Sequence, residues 1–236
     1  MLYIHLFGHL RLLVDGRPHR FQGLPKTTLL LAYLLLQREA AVPRDHLAFL
    51  LWDDVPESEA RANLRRHLHD LRRTLPAAAE WVLSDAKSVQ WNPAVPYWLD
   101  VAEFEHLCAD DGRLAEAITL YTGDLLQNLY EDWVTPHRDR LQTLCFATLD
   151  RLIKREWAQG DLAQAMAYAR QLLNHDPLRE DALRNYMLLR ADSGDRAGAL
   201  QLYQQFKNRL EEELGVAPMP ETTAVYDELA HSHPLP

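Results

Sequence analysis

The sequence predicts a mainly α-helical protein with small β elements, built from two modules that follow each other along the chain. Three observations support this fold class. Long apolar helical patterns alternate with only short β-like segments, a six-residue motif returns after 34 residues, and charge is divided unequally between the two halves. A period of 34 residues is typical of tetratricopeptide-like helical repeats.

The length and the charge distribution both favour two domains. A chain of 236 residues suits one large or two medium domains. Residues 1–104 hold 12 basic and 12 acidic residues, whereas residues 105–236 hold 13 and 22 and so carry the whole net charge of −9. We therefore expect domains at 1–99 and 100–236 with different partners.

The first segments predict a small antiparallel sheet followed by three helices. Residues 2–7 and 10–14 read as strands, and a tight turn at Asp15-Gly16 allows residues 18–21 to pair back. Pro25 and Pro43 each open an apolar helix. Residues 53–56 break the second helix, and Ser58 is expected to cap a third helix that stops at Pro76.

A terminal hairpin completes the first module. Residues 81–84 and 88–91 read as strands joined by Asp85-Ala86-Lys87, and residues 97–99 are expected to return to the sheet. A sheet, three helices and a hairpin form the order of a winged helix-turn-helix with an additional N-terminal sheet.

The second module reads as an all-α tetratricopeptide-like helical repeat domain. The pattern Gly160-Asp161-x-Ala-x-Ala returns at Gly194-Asp195, and Gly112 begins a third copy that is out of phase. Glycine ends one helix and turns the chain into the next, while small alanines let paired helices approach closely.

The third helix is the candidate DNA-binding element. Leu64, Leu68 and Leu71 fall on one face, and five arginines with a single acid, Asp70, occupy residues 61–73. Arginine can form two hydrogen bonds to guanine or to a phosphate, and asparagine can form hydrogen bonds to adenine. A solvated basic face is the alternative. The residues predicted to bind DNA are Arg61, Asn63, Arg65, Arg66, His69, Arg72 and Arg73, with Lys87 at the hairpin tip.

No pattern in the sequence favours catalysis, a metal site or a cofactor. Lys26-Thr27-Thr28 lacks the glycines of a phosphate loop. His67 and His69 project to different helix faces, and Cys108 and Cys145 lie in apolar helical sequence as expected for core residues. We therefore expect a non-enzymatic protein without cofactors.

Location is predicted from what the sequence lacks. Two cysteines form no disulfide framework, and the first residues show no basic stretch followed by an apolar one. The longest apolar run, residues 29–36, is shorter than the roughly 20 residues that cross a bilayer. We expect a cytoplasmic protein without a membrane partner.

The chain resembles the SARP-type bacterial transcription activators. The similar segments are Pro25-Lys26 with the following leucine run, Leu51-Trp52, the stretch from Ala60 to Leu75, residues 99–105, Tyr130-Glu-Asp-Trp133, and Asp176-Pro-Leu178. Together they resemble an OmpR-type winged helix joined to a bacterial transcriptional activator domain. The hairpin tip departs from many members, which have glycine and tyrosine there.

The resemblance implies a function for both modules. It implies binding to promoter direct repeats, recruitment of RNA polymerase, and a DNA role for the arginines of the third helix. The repeat domain would mediate dimerisation, effector response or polymerase contact, with a homodimer as one possible assembly. The alternative is a protein–protein adaptor whose winged helix no longer binds DNA.

Overall fold

The computed structural model describes residues 1–77 and 79–231 and confirms the predicted fold class. Short strands and three helices of a winged helix-turn-helix precede a series of further helices. The chain divides into two compact units, one of Met1–His106 with Leu120–Arg138 and one of Leu107–Thr119 with the residues from Asp139 onward. Because each unit takes two segments, the domain boundary at residues 99 and 100 stays a prediction.

A four-stranded sheet opens the first unit, with the strand order β3-β2-β1-β7. The hairpin at Asp15-Gly16 forms as predicted, and its two residues adopt positive φ angles of 49° and 77°. Ile4 pairs with Leu12 on one side and, in parallel, with Leu99 on the other. The strands are β1 (Leu2–His5), β2 (Arg11–Val14), β3 (Arg17–His19) and β7 (Tyr97–Leu99).

Three helices form the centre of the first unit, and their apolar faces are buried. Pro25 occupies the first position of the first helix, as predicted. The expected cap at Ser58 is wrong, because Pro56 occupies the N-cap position, the third helix begins at Glu57, and no side chain caps it. The carboxylates of Glu57 and Glu59 in its first turn stabilise the helix instead, because they interact favourably with the positive end of the helix dipole. The helices are α1 (Pro25–Leu36), α2 (Arg44–Leu51) and α3 (Glu57–Thr74).

A second, three-stranded sheet carries the terminal hairpin. Its order is β4-β6-β5, and all pairs are antiparallel. The short strand at Val42 was not predicted, because two residues before a helix carry no alternating pattern. The strands are β4 (Val42–Pro43), β5 (Val82–Ser84) and β6 (Ser88–Trp91).

The buried carboxylate of Asp100 joins the first strand to the helix that follows β7. Its oxygens accept hydrogen bonds from the backbone N–H groups of Leu6 at 2.8 and 2.9 Å, Phe7 at 3.0 Å and Val101 at 2.8 Å. Asp100 is only 2% exposed. Burial raises its pKa to about 6, and the backbone donors, with the charge of Arg11, limit the rise.

From Asp100 to His231, the regular elements of the chain are helices joined by loops and turns. After α4 (Asp100–Cys108) and α5 (Leu114–Leu120), five further helices follow. The 34-residue motif marks two of their junctions. The later helices are α6 (Thr135–Gln159), α7 (Leu162–His175), α8 (Glu180–Asp192), α9 (Arg196–Leu214) and α10 (Pro220–His231).

Each motif combines a helix end with a helix start. Gly160 and Gly194 have φ angles of 82° and 88°, a left-handed conformation that glycine adopts without steric cost. The following Asp161 and Asp195 cap the next helices, accepting from Gln164 N at 3.0 Å and from the N–H three residues on at 2.9 Å. Gly112 differs from both, because it lies in a 3₁₀ turn and has no positive φ.

Candidate nucleic-acid interface

Helix α3 has one buried and one exposed face. Leu64, Leu68 and Leu71 are at most 2% exposed and pack into the first unit. The arginines between them face outward. This division follows from the spacing of the leucines, because residues three and four apart share a face of an α-helix.

The structure brings most of the predicted DNA-binding residues to the exposed face of α3. Asn63 is half-buried, whereas Lys87 is exposed at the tip of the β5–β6 hairpin. The remaining predicted residues are all exposed: Arg61, Arg65, Arg66, His69, Arg72 and Arg73.

The arginines differ in how far their charge is already neutralised. Arg61 forms ion pairs with Asp45 at 3.0 Å and Glu57 at 2.6 Å, so DNA would compete with two carboxylates for it. Arg73 is 75% exposed and only 3.4 Å from the Asp70 carboxylate. Within residues 1–77 and 79–231, the side chains of Arg65 and Arg66 have no ion pair. Both guanidinium groups are therefore available to a phosphate.

The hairpin tip is fixed beside the start of α2. Asp85 accepts hydrogen bonds from the backbone of Lys87 and Ser88, both at 2.7 Å, and these bonds hold the pKa of its carboxyl below the usual value. Arg44 donates to Ser84 Oγ at 2.7 Å, and its backbone N–H donates to the carbonyl of Lys87. The hairpin is therefore held in place, and Lys87 projects from a defined position.

Arg44 is the residue of this region that the sequence reasoning missed. Together with Arg61, Arg65 and Ala86 it lines a cavity of about 250 Å³ between α2, α3 and the hairpin. The only available signal was its place in the first turn after Pro43. A single basic residue there is too common to indicate a function.

A buried polar cluster fixes α3 against the start of α1. The Thr27 hydroxyl donates to Asp70 Oδ2 at 2.9 Å and lies 2.8 Å from His67 Nδ1. Because a carboxylate only accepts and the hydroxyl has one proton, His67 Nδ1 must donate to Thr27. Burial, with the charge of Arg66, lowers the pKa of His67, which therefore stays neutral at pH 7.

We expect Thr27→Val to lower the free energy of unfolding by about 1–3 kcal/mol. The substitution keeps the shape and leaves His67 and Asp70 without their shared partner. Thr28→Val is the matched control, because that hydroxyl bonds only the Leu24 carbonyl at 3.4 Å. Urea unfolding would measure the free energy of unfolding of both variants. Equal losses of stability would show that the cluster does not stabilise the packing of α3 against α1.

The possible metal ligands, the cysteines and the helix lengths of the described residues also bear on the sequence predictions. Among residues 1–77 and 79–231, no three His, Cys, Asp or Glu side chains are grouped in a way that could hold a metal ion. Cys108 and Cys145 are both buried, as expected for core residues. No helix in the same part of the chain has the length and apolar character needed to cross a membrane.

A winged helix-turn-helix with an outward basic helix, joined to tetratricopeptide-like helices, defines the class of two-module transcription regulators. Residues 99–230 match the family model of the bacterial transcriptional activator domain, and the chain belongs to this family. The SARP-type resemblance is confirmed. The relatives are transcriptional regulators rather than enzymes.

Two curated relatives show how much of each protein this chain matches. The Mycobacterium tuberculosis transcriptional regulatory protein MoaR1 is 26% identical over 240 residues, which cover 90% of this chain and 74% of MoaR1. The Streptomyces coelicolor regulatory protein AfsR is 28% identical over 211 residues, covering 84% of this chain. The match spans only 21% of AfsR, which is a much longer protein.

A solved structure supports the fold. Mycobacterium tuberculosis EmbR, determined in complex with a low-affinity phosphopeptide, superposes with a TM-score of 0.72 at 24% sequence identity. The match covers all of this chain and 66% of EmbR. It confirms a winged helix followed by a helical-repeat domain.

Proposed function

We propose that the protein binds double-stranded DNA through α3 and regulates transcription from the promoters that it binds. The observation that carries the proposal is the exposed arginine face of α3, opposite a buried leucine face. Arg65 and Arg66 are free of ion pairs in the described part of the chain, although the protein as a whole is acidic.

The dimensions of DNA suit this face. The major groove is about 12 Å wide and admits an α-helix, and arginine forms bidentate bonds to guanine or phosphate. Phosphate contacts supply much of the affinity, and contacts to base edges supply the specificity. Lys87 then approaches the backbone beside the groove from the hairpin tip.

A salt series on selected DNA tests the proposal. Fragments bound by the protein would be selected from genomic DNA of the source organism, and the dissociation constant measured between about 50 and 200 mM salt. We expect affinity to fall steeply, with a log–log slope of about −0.9 for each phosphate contacted. Absence of salt-dependent binding to any fragment contradicts the proposal and leaves the adaptor alternative.

The family resemblance extends the proposal to the arrangement of the site. Promoter direct repeats would bind two copies of the protein side by side. Footprinting of a selected fragment tests this, because two copies on direct repeats protect two equally oriented segments. A single protected segment, with one protein per fragment, contradicts it.

An exposed aromatic residue supports the further proposal of RNA polymerase recruitment. Phe49 on α2 is 73% exposed, and contiguous apolar surface rimmed by polar residues is typical of protein–protein contact sites. It lies on a cavity of about 350 Å³ with Trp52 and Val55 and three acidic residues, Asp45, Asp53 and Glu57. This surface is formed by α2, the loop after it and the start of α3, and it includes Arg61.

Phe49→Ser is expected to separate DNA binding from activation. Removing the ring takes away apolar contact area with the polymerase, so transcription in vitro should fall at least about fivefold, equivalent to roughly 1 kcal/mol. The dissociation constant for DNA should change less than about twofold. Leu24→Ser, which removes another exposed apolar side chain of the first unit, is the control. Unchanged activation by Phe49→Ser contradicts polymerase contact at this surface.

A further inference from the structure

A basic groove lies within the acidic second half of the chain. It is a cavity of about 280 Å³ formed by α7, α8 and α9. Arg170, Arg190 and Arg209 line it, together with the amides Asn174 and Gln205, and none of its lining residues is acidic. Because residues 105–236 hold 13 basic and 22 acidic residues, three arginines at one cavity depart from the surrounding charge. We name this cavity the arginine groove.

The three arginines are not equally available. Arg190 Nε donates to Asp195 at 2.9 Å, and its guanidinium lies 5.8 Å from the Tyr186 ring centre, so it is held in place. Arg209 is half exposed and 3.7 Å from Glu213, which is a loose contact. Arg170 is exposed and forms no ion pair with the described residues. Arg170 and Arg209 are therefore open to an anionic partner.

The floor of the groove is apolar and elongated. Leu183, Tyr186 and Arg190 form a row along α8, and Leu202, Phe206 and Arg209 form a second row along α9. Each row spans seven residues, which at 1.5 Å per residue is about 10 Å. An extended peptide advances about 3.3 Å per residue, so the groove accommodates about three residues.

We propose that the arginine groove binds a short acidic peptide segment that contains one apolar side chain. The apolar side chain packs on Phe206 and Leu202, and flanking carboxylates pair with Arg170 and Arg209 in charge-assisted hydrogen bonds. The source of the segment is another protein, and binding does not depend on the DNA-binding function proposed above.

The amides distinguish a peptide from a small anion. Asn174 and Gln205 are exposed, and their side-chain amides make no hydrogen bond with other described residues. Each side-chain amide both donates and accepts, which matches the N–H and C=O groups of an extended backbone. A free phosphate has no apolar part and no extended backbone, so it leaves the apolar floor uncovered.

Binding of a defined probe tests the proposal. The probe is a fluorescein-labelled peptide with the sequence Glu-Asp-Leu-Asp-Glu-Asp, and fluorescence anisotropy measures its binding to the full chain. The reference probe replaces every acid with its amide. We expect saturable binding of the acidic peptide, at least tenfold tighter than that of the amide peptide. No saturable binding, or equal binding of both probes, overturns the proposal.

Charge reversal assigns the binding to the groove. The double variant R170E/R209E should weaken binding at least tenfold, whereas Lys207→Glu, an exposed residue of α9 outside the groove, should change it less than threefold. Circular dichroism shows that each variant folds. If Lys207→Glu weakens binding as much as the double variant, the attraction is unspecific and the groove is not the site.

Competition identifies the class of ligand. Unlabelled acidic peptide should displace the probe, whereas inorganic phosphate at the same concentration and a selected DNA fragment should not. Displacement by phosphate at concentrations equal to those of the peptide indicates a simple anion site. Displacement by DNA indicates a nucleic-acid surface. Either result overturns the peptide proposal.

Discussion

Replacing Arg65, Arg66 and Arg73 together with alanine is expected to weaken DNA binding at least about a hundredfold. One well-placed arginine contact contributes about 1–3 kcal/mol, so three contacts exceed this factor even at the lower limit. If all three contact phosphates, the salt slope becomes shallower by up to about 2.7. Arg61 is left in place, because its ion pairs with Asp45 and Glu57 also tie α3 to α2.

A matched triple variant separates specific contacts from total charge. Arg17→Ala, Arg20→Ala and Arg170→Ala remove the same number of exposed cations from outside α3. We expect this control to change DNA affinity less than about threefold in the same salt series. Equal weakening by both triple variants would mean that α3 is not the recognition element.

Asp100→Asn is expected to destabilise the first unit by about 1–3 kcal/mol at pH 8. The carboxylate accepts from three backbone N–H groups, and an amide places an NH₂ donor against some of them. Urea unfolding measures the loss. Asp110→Asn is the control, because that exposed carboxylate accepts from one N–H group only, of Gly112. A loss no larger than that of the control would contradict the structural role of Asp100.

The same variant exposes a pH dependence of stability. The pKa of Asp100 is raised to about 6 in the folded protein, above its ordinary value of 3.8, so the folded state binds more protons than the unfolded state between these values. The stabilisation that comes from protonating Asp100 in the folded state is fully present below about pH 4 and is lost as the pH rises through about 6. The difference in the free energy of unfolding between wild type and Asp100→Asn should become smaller by about 3 kcal/mol from pH 4 to pH 8. A constant difference contradicts the raised pKa.

The elements were predictable where local chemistry specifies them. Pro25 begins α1, Asp15-Gly16 forms the hairpin turn, and the leucine spacing of α3 sets its buried face. The helix start was misplaced at Ser58, because a serine near a helix start is a good cap only if the backbone turns there. Pro56 with two following glutamates starts α3 without a side-chain cap.

The candidate site was predictable only in its residue types. The sequence identifies a basic helix face, but ion pairing depends on which groups other elements bring near. Asp45 from α2 pairs with Arg61. Arg44 lies beside the hairpin because β4 pairs with β6, and the sequence pattern does not predict this pairing. The only sequence pattern that includes Thr27 is the incomplete phosphate loop Lys26-Thr27-Thr28, which does not indicate its structural role. Its partners His67 and Asp70 are 40 and 43 residues away, so its role emerges only in three dimensions.

The glycine–aspartate pairs at the helix junctions make the repeats modular. Gly160 and Gly194 terminate one helix, and the next residue caps the following one, so each junction is specified within the chain's own local segment. A 34-residue unit that starts at such a glycine contains the residues that end one helix and begin the next. Duplication of a whole unit therefore preserves the local geometry of each junction, whereas an insertion of a few residues within a helix shifts the helical register of the residues that follow it.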